Sequence, residues 1–195
     1  HLKSIPIVVN NMIKGVYFII RDISEISRNT EQIKYMVLHD QLTGLLNRSA
    51  LLKDLHDAID IASNLQSEFS LIYIDLDRFK FMNDSFGHQS GDLLLKVISE
   101  RLLSLEGESH SIYRQGGDEF VVLLEHTCRE ETIRFIEGII STLEEPFQID
   151  NQLYYVTASM GISMYPYDGM DTVTLMQKAD HALFQVKKRG RAHYL

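Results

Sequence analysis

Apolar positions change their period along this chain, and each change marks an element. Within residues 1–22, two β-rich runs flank "NNMIKG". That pattern predicts a hairpin, which two strands alone cannot stabilise. Ile23, Ile26, Thr30, Ile33 and Val37 then recur at spacings of 3, 4, 3 and 4. This is a heptad seam over about two heptads, suited to pairing with a second copy or to one amphipathic linker helix. "HDQLTGLLNR" at 39–48 reads as a turn feeding a helix whose face is Leu51, Leu55, Ala58, Ala62 and Leu65. "FSLIYIDLD" at 69–77 is almost continuously apolar, as in a strand buried on both faces. Further helical faces follow at Leu94, Ile98, Leu102 and Leu105, at Ile133, Ile136, Ile140 and Leu143 ahead of Pro146, and at Met176, Ala179, Leu183 and Val186, closed by Gly190. Short strands are predicted at 111–115 and 119–124, and one long strand at 153–164.

From residue 69 the order is strand, helix, strand, strand, helix, strand. This is the split βαβ arrangement, so the fold class is α+β, a mixed, largely antiparallel central sheet flanked by helices. The N-terminal linker helix precedes it. In this topology the first and second strands are parallel and the third lies between them. The turn joining strands two and three therefore meets the end of strand one. Asp75 and Asp77 should come close to "GGDE" at 116–119.

Composition narrows the field. The chain has 195 residues, 45% of them hydrophobic, with a net charge of −8. That size suits one ordinary domain plus some extra, and that charge argues against a duplex nucleic acid partner. Cys128 is the one cysteine, so no internal disulfide forms, and a reducing compartment fits. No run is long enough to span a membrane, and no signal peptide pattern opens the chain. The chain begins with His rather than Met and reads as a piece of a longer protein.

The converging residues suggest chemistry. Asp75 and Asp77 point the same way from a buried strand's end, where carboxylates are costly unless paired or bound to a cation. Asp77 has an alternative as the cap of a short helix starting at Arg78. Gly116 and Gly117 supply positive φ for a two-residue turn. Asp118 and Glu119 follow at once, and acids gathered opposite Asp75 repel unless a divalent cation joins them. Oxygen ligands suggest Mg²⁺, and no Cys/His set has zinc spacing. His39, His88 and the other histidines read as polar or capping residues. Amides near Phe79 and Lys80, at a helix N-terminus, would suit an anion, and Lys187 and Arg191 add positive charge near the other end of the chain.

"GGDEF" at 116–120 and "DLDRFKFMNDSFGHQSGD" at 75–92 resemble the GGDEF family of diguanylate cyclases. "DQLTGLLNR" at 40–48, "TASMGIS" at 157–163 and "ADHALFQVKKRGR" at 179–191 match in order, so the resemblance covers 39–195. It implies a nucleotide-cyclase palm that joins two GTP molecules into cyclic di-GMP, releasing two pyrophosphates. It further implies that Asp75, Asp118 and Glu119 are catalytic and bind metal with the Leu76 carbonyl. Phe79, Lys80, Lys187 and Arg191 would hold the GTP phosphates, and Asn83 and Asp92 the guanine. Mg²⁺ or Mn²⁺, two per site, would be the cofactor, and a homodimer the catalytic form. The domain would work in the cytoplasm, with segments outside the chain free to attach the full-length protein to a membrane.

"GVYFIIRDISE" at 15–25 resembles the closing strand and exit of PAS sensor domains. The expected organisation is thus a PAS-like fragment at 1–24, a linker helix at 25–38 and the GGDEF domain at 39–195. Many relatives continue into an EAL-type phosphodiesterase domain, and in such hybrids the GGDEF part can be a GTP-binding regulator without turnover. That is the alternative function, and a pure dimerisation module is a third. One departure stands out. Gly107 and His110 occupy the places of the family's Arg and Asp that form a product-inhibition site, so none is expected here. Gln115, before the glycines, stands where aromatic or aliphatic residues are frequent.

Overall fold

The computed structural model describes residues 2–9, 12–20, 35–105, 110–149 and 152–195. They fall into two units, His1–Val37 and Leu38–Leu195. In the first, β1 (Leu2–Val9) pairs antiparallel with β2 (Met12–Ile20), Val9 opposite Met12. The strand β2 already begins at Met12, so "MIKG" of the run "NNMIKG" is strand rather than turn. Met12 and Ile13, being apolar, pair as strand, and a register shift at Ile7/Val8 absorbs the irregularity near Gly15. Of the heptad seam, Ile23, Ile26, Thr30 and Ile33 lie outside the described residues. Val37 sits in the helical stretch α1 (35–38).

The second unit runs β3 (Leu46–Asn47), α2 (Arg48–Leu65), β4 (Phe69–Leu76), α3 (Phe79–Phe86), α4 (His88–Leu103), β5 (His110–Gly116) and β6 (Glu119–Leu124). It continues with α5 (Arg129–Glu144), β7 (Phe147–Ile149), β8 (Gln152–Tyr154), β9 (Ala158–Tyr165) and α6 (Thr172–Arg189). The main sheet has the order β3-β5-β6-β4-β9. β4 is an interior strand, antiparallel to both of its neighbours, β6 and β9. Strands β4, β5, β6 and β9 thus take the split βαβ arrangement expected from the sequence.

Alternation along β4 splits the core in two. Ile72, Ile74 and Leu76 join Leu94, Ile98 and Leu102 of α4 and Ile136, Ile139 and Leu143 of α5. Phe69, Leu71 and Tyr73 join Leu51, Leu55 and Ala58 of α2 and Leu175, Ala179 and Leu183 of α6. Asp75 continues the second set and so points toward α6. The α5 face is turned slightly from expectation, with Ile139 buried rather than Ile140. Leu65 is exposed at the C-terminal end of α2.

Residues 153–164 are not one strand. β8 stops at Tyr154 and pairs with β7 in a separate two-stranded sheet, while β9 begins at Ala158. The chain changes sheets at Thr157, whose carbonyl accepts from the Asp77 amide at 2.8 Å. The β-propensity of the run does not report that change of partner. After α6 the chain returns along the free edge of β9. The Met160 amide donates to His193 O, and the Ile162 amide donates to Leu195 O, each at 2.9 Å. Among the described residues, no helix is long and apolar enough to cross a membrane.

Candidate active site

Four pieces of chain meet at one edge of the sheet: the end of β4, the β5–β6 turn, the start of α3 and the end of α6. Pairing across β4 and β6 sets Asp75 opposite Glu119. The Leu76 amide donates to the Asp118 carbonyl at 3.3 Å. The two-residue turn is Gly117–Asp118, with Gly116 the last residue of β5 and paired with Glu119. This shifts the expected turn by one residue, because a bulge between Arg114 and Gly116 inserts Gln115. Gly116 and Gly117 have φ of 139° and 55°, and β-carbons there would meet no protein atom within 4 Å. Backbone conformation, rather than crowding, therefore calls for glycine.

Asp75 is 8% exposed, and its Oδ2 lies 2.6 Å from Lys187 Nζ. Burial pushes its carboxyl above the usual range. The Lys187 bond opposes this, and Asp118 and Glu119 push it further up. That is the mutual repulsion a cation relieves. Two or three carboxylates beside open solvent fit Mg²⁺, which keeps waters and phosphate oxygens in its shell. Among the described residues, no three His, Cys, Asp or Glu side chains already stand arranged to hold a metal. Instead, Lys187 supplies the counter-charge at Asp75.

Asp77 does not cap α3. That helix starts after Arg78, which is left-handed (φ 58°), and lacks a side-chain cap. The Asp77 carboxylate instead accepts from Thr157 Oγ1, Ser159 Oγ and the Ala192 amide at 2.8, 2.7 and 3.1 Å. Arg191 Nε stands 4.0 Å away. Asp77 thus ties the C-terminal segment to the end of β4, three bonds being better for a strand-end carboxylate than one cap. Phe79 is buried at the start of α3, with Lys80 exposed beside it. Asn83 is half-buried on α3 and Asp92 exposed on α4. Gly107 lies outside the described residues. His110 opens β5, at the far end of that strand from Gly116, and its ring lies 4.9 Å from that of Phe135.

Sequence reasoning passed over a second ring of support. Arg114, 8% exposed, donates through Nε and Nη2 to the Gly117 carbonyl at 3.2 and 2.7 Å. Its Nη1 donates to Asp40 Oδ1 at 2.7 Å. Asp40 also accepts from the Thr43 amide and hydroxyl. The turn that opens the second unit therefore grips the backbone of the GGDE turn. A lone arginine in an apolar strand was the signal available. Beneath it, Tyr113 donates to Asp54 at 2.9 Å, and burial raises its phenol strongly.

Residues 37–193 match the family model described as "Diguanylate cyclase, GGDEF domain". The signaling protein YkoW of Bacillus subtilis is 33% identical over the whole chain, which covers 24% of YkoW. The bifunctional diguanylate cyclase/cyclic di-GMP phosphodiesterase MucR of Pseudomonas aeruginosa is 36% identical over 88% of the chain, covering 25% of MucR. The chain thus spans about a quarter of the length of these relatives. A sensory box/GGDEF family protein from Caulobacter crescentus superposes with a TM-score of 0.73 at 39% identity, over 78% of this chain and 99% of that one. By sequence and by fold, the chain belongs to the GGDEF-domain family of diguanylate cyclases.

Proposed function

We propose that this domain condenses two GTP molecules into cyclic di-GMP and two pyrophosphates, with two copies face to face, each holding one GTP. The observation that carries the reading is the in-register meeting of buried Asp75 with the Asp118–Glu119 turn. Asp75, Asp118, Glu119 and the Leu76 carbonyl would hold divalent metal, Mg²⁺ or Mn²⁺. When bound, such a cation lowers the pKa of the ribose 3′-hydroxyl and offsets charge on the phosphates. Glu119, exposed opposite Asp75, assists the attacking hydroxyl. Lys187 exchanges its Asp75 partner for phosphate oxygens, joined by Lys80, Arg191 and the amides near Phe79. Asn83 and Asp92 read the guanine edge.

In this reading, residues 1–24 close a PAS-like sensor and 25–38 form the helix that sets how two domains meet. The partners are GTP, a second copy and, in the full-length protein, sensor and EAL-type domains. The test is the initial rate of pyrophosphate release from GTP and Mg²⁺ at increasing protein concentration. Specific activity that climbs with concentration supports paired domains. GTP held without any release would mark a binding module instead.

A further inference from the structure

Gly91 is buried in the first turn of α4, where that helix packs against α3. A β-carbon placed on Gly91 would collide with Asn83 Oδ1, approach Asn83 Cγ to 2.9 Å and reach 3.3 Å from Phe79 Cζ. Asn83 Oδ1 is itself buried and has no hydrogen-bond partner. The carbonyl end of this amide is thus packed against the α-hydrogens of Gly91, and its nitrogen is the accessible end. Leaving a buried oxygen unpaired is costly, so something fixes the amide in this orientation. The close approach of two helices does so, and a glycine at this one position permits it. Asp92 is the next residue, so the same turn of α4 carries both the backing for Asn83 and the second expected base contact.

We propose that Gly91 is a positioning residue that sets base recognition. It lets the Asn83 amide lie back against α4 with Nδ2 directed at the purine of a guanine nucleotide. Any side chain at Gly91 swings that amide out of reach. The inference rests on the reading of Asn83 as a base contact. Gly91 touches no substrate and acts through Asn83 alone.

The test uses the whole chain with GDP, which binds without a leaving pyrophosphate, and compares Gly91→Ala, Asn83→Ala and the double variant by equilibrium dialysis with Mg²⁺. Loss of one base contact predicts about ten-fold weaker GDP binding in each single variant. The double variant is expected to be no weaker than either single one, and inorganic pyrophosphate binding to be unchanged in all three. Losses that add, or wild-type GDP binding in Gly91→Ala beside weakened Asn83→Ala, overturn the role of Gly91. Wild-type binding in Asn83→Ala instead overturns the base-contact reading, and the role of Gly91 with it. Thermal melting guards against a folding defect. Gly91→Ala should melt lower than wild type, and adding Asn83→Ala should restore it by emptying the contested space. A double variant that melts as low as the sum of both losses overturns the proposal.

Discussion

Replacing Asp40 by alanine removes the counter-charge of a guanidinium that holds the GGDE turn. Arg114 would keep its two bonds to the Gly117 carbonyl and lose the 2.7 Å bond to Asp40. The side chains are 8% and 22% exposed, so the abandoned charge has little water to turn to. Removing one partner of a buried pair costs about 3–5 kcal/mol, and the partial exposure of Asp40 places it near 3. At ~2–4 °C per kcal/mol for a domain of this size, the melting temperature should fall by roughly 6–12 °C. Activity should fall as well, because the carbonyl that fixes the turn beside Asp75 is less firmly held.

The pH dependence has a definite sign. Burial alone would raise the Asp40 carboxyl, but the Thr43 and Arg114 bonds outweigh it and hold the group below its ordinary value. Its contribution is then complete above the unfolded value of about 3.9 and is lost as pH falls through the lower folded value. The gap between wild type and Asp40→Ala should stay constant from about pH 5 to 8 and close only in stronger acid. Melting curves of Asp40→Ala, Arg114→Ala and the double variant provide the assay. An unchanged melting temperature in Asp40→Ala, or single losses that simply add, would refute the reasoning.

Gly161→Ala should cost at least 1–3 kcal/mol in urea denaturation, by the usual ~1–3 for overpacking. Its β-carbon would collide with Ala179 O and Leu183 N, backbone that cannot yield without lifting α6 off β9. A midpoint equal to that of wild type would contradict this packing. Lys187→Met should let Mg²⁺ alone raise the melting temperature more than it does in wild type, because the cation no longer competes with the ammonium for Asp75. Equal shifts would mean that the ion pair does not guard the site. Asp77→Ala should speed hydrogen exchange of the Ala192 amide while the buried turns of α6 stay protected. Slow exchange at Ala192 in the variant would show that the C-terminal segment is held by β9 alone.

Much of this arrangement is legible in the sequence. β4 declares itself because both faces are apolar, and the order of elements then requires the β5–β6 turn to meet its end. The α2 and α5 faces follow from their spacing, except that Leu65 lies past the contact α2 makes and that Ile139 rather than Ile140 is fully buried on α5. What escapes is pairing that depends on distant chain. Residues 153–164 have strand character throughout, yet the run is broken before Ala158, where Thr157 bonds Asp77, 80 residues earlier. Asp77 looks like a helix cap locally, but the folded chain offers it three donors. Arg114 and Asp40 each look unremarkable alone, and only the fold brings the Asp40 carboxylate to the guanidinium that grips the Gly117 carbonyl. The fit of Asn83 against Gly91 depends on how closely two helices approach, which spacing along one chain does not encode.

The central claim is that the Asp75, Asp118 and Glu119 edge carries a GTP-condensing site. Its most direct test is incubation of the protein with GTP and Mg²⁺ at high protein concentration, followed by chromatographic separation of nucleotides. The account predicts cyclic di-GMP with two pyrophosphates per product, lost in Asp118→Ala while that variant remains folded. Cyclic di-GMP made equally well by Asp118→Ala, or GTP returned unchanged by the folded, paired wild-type protein, would contradict it.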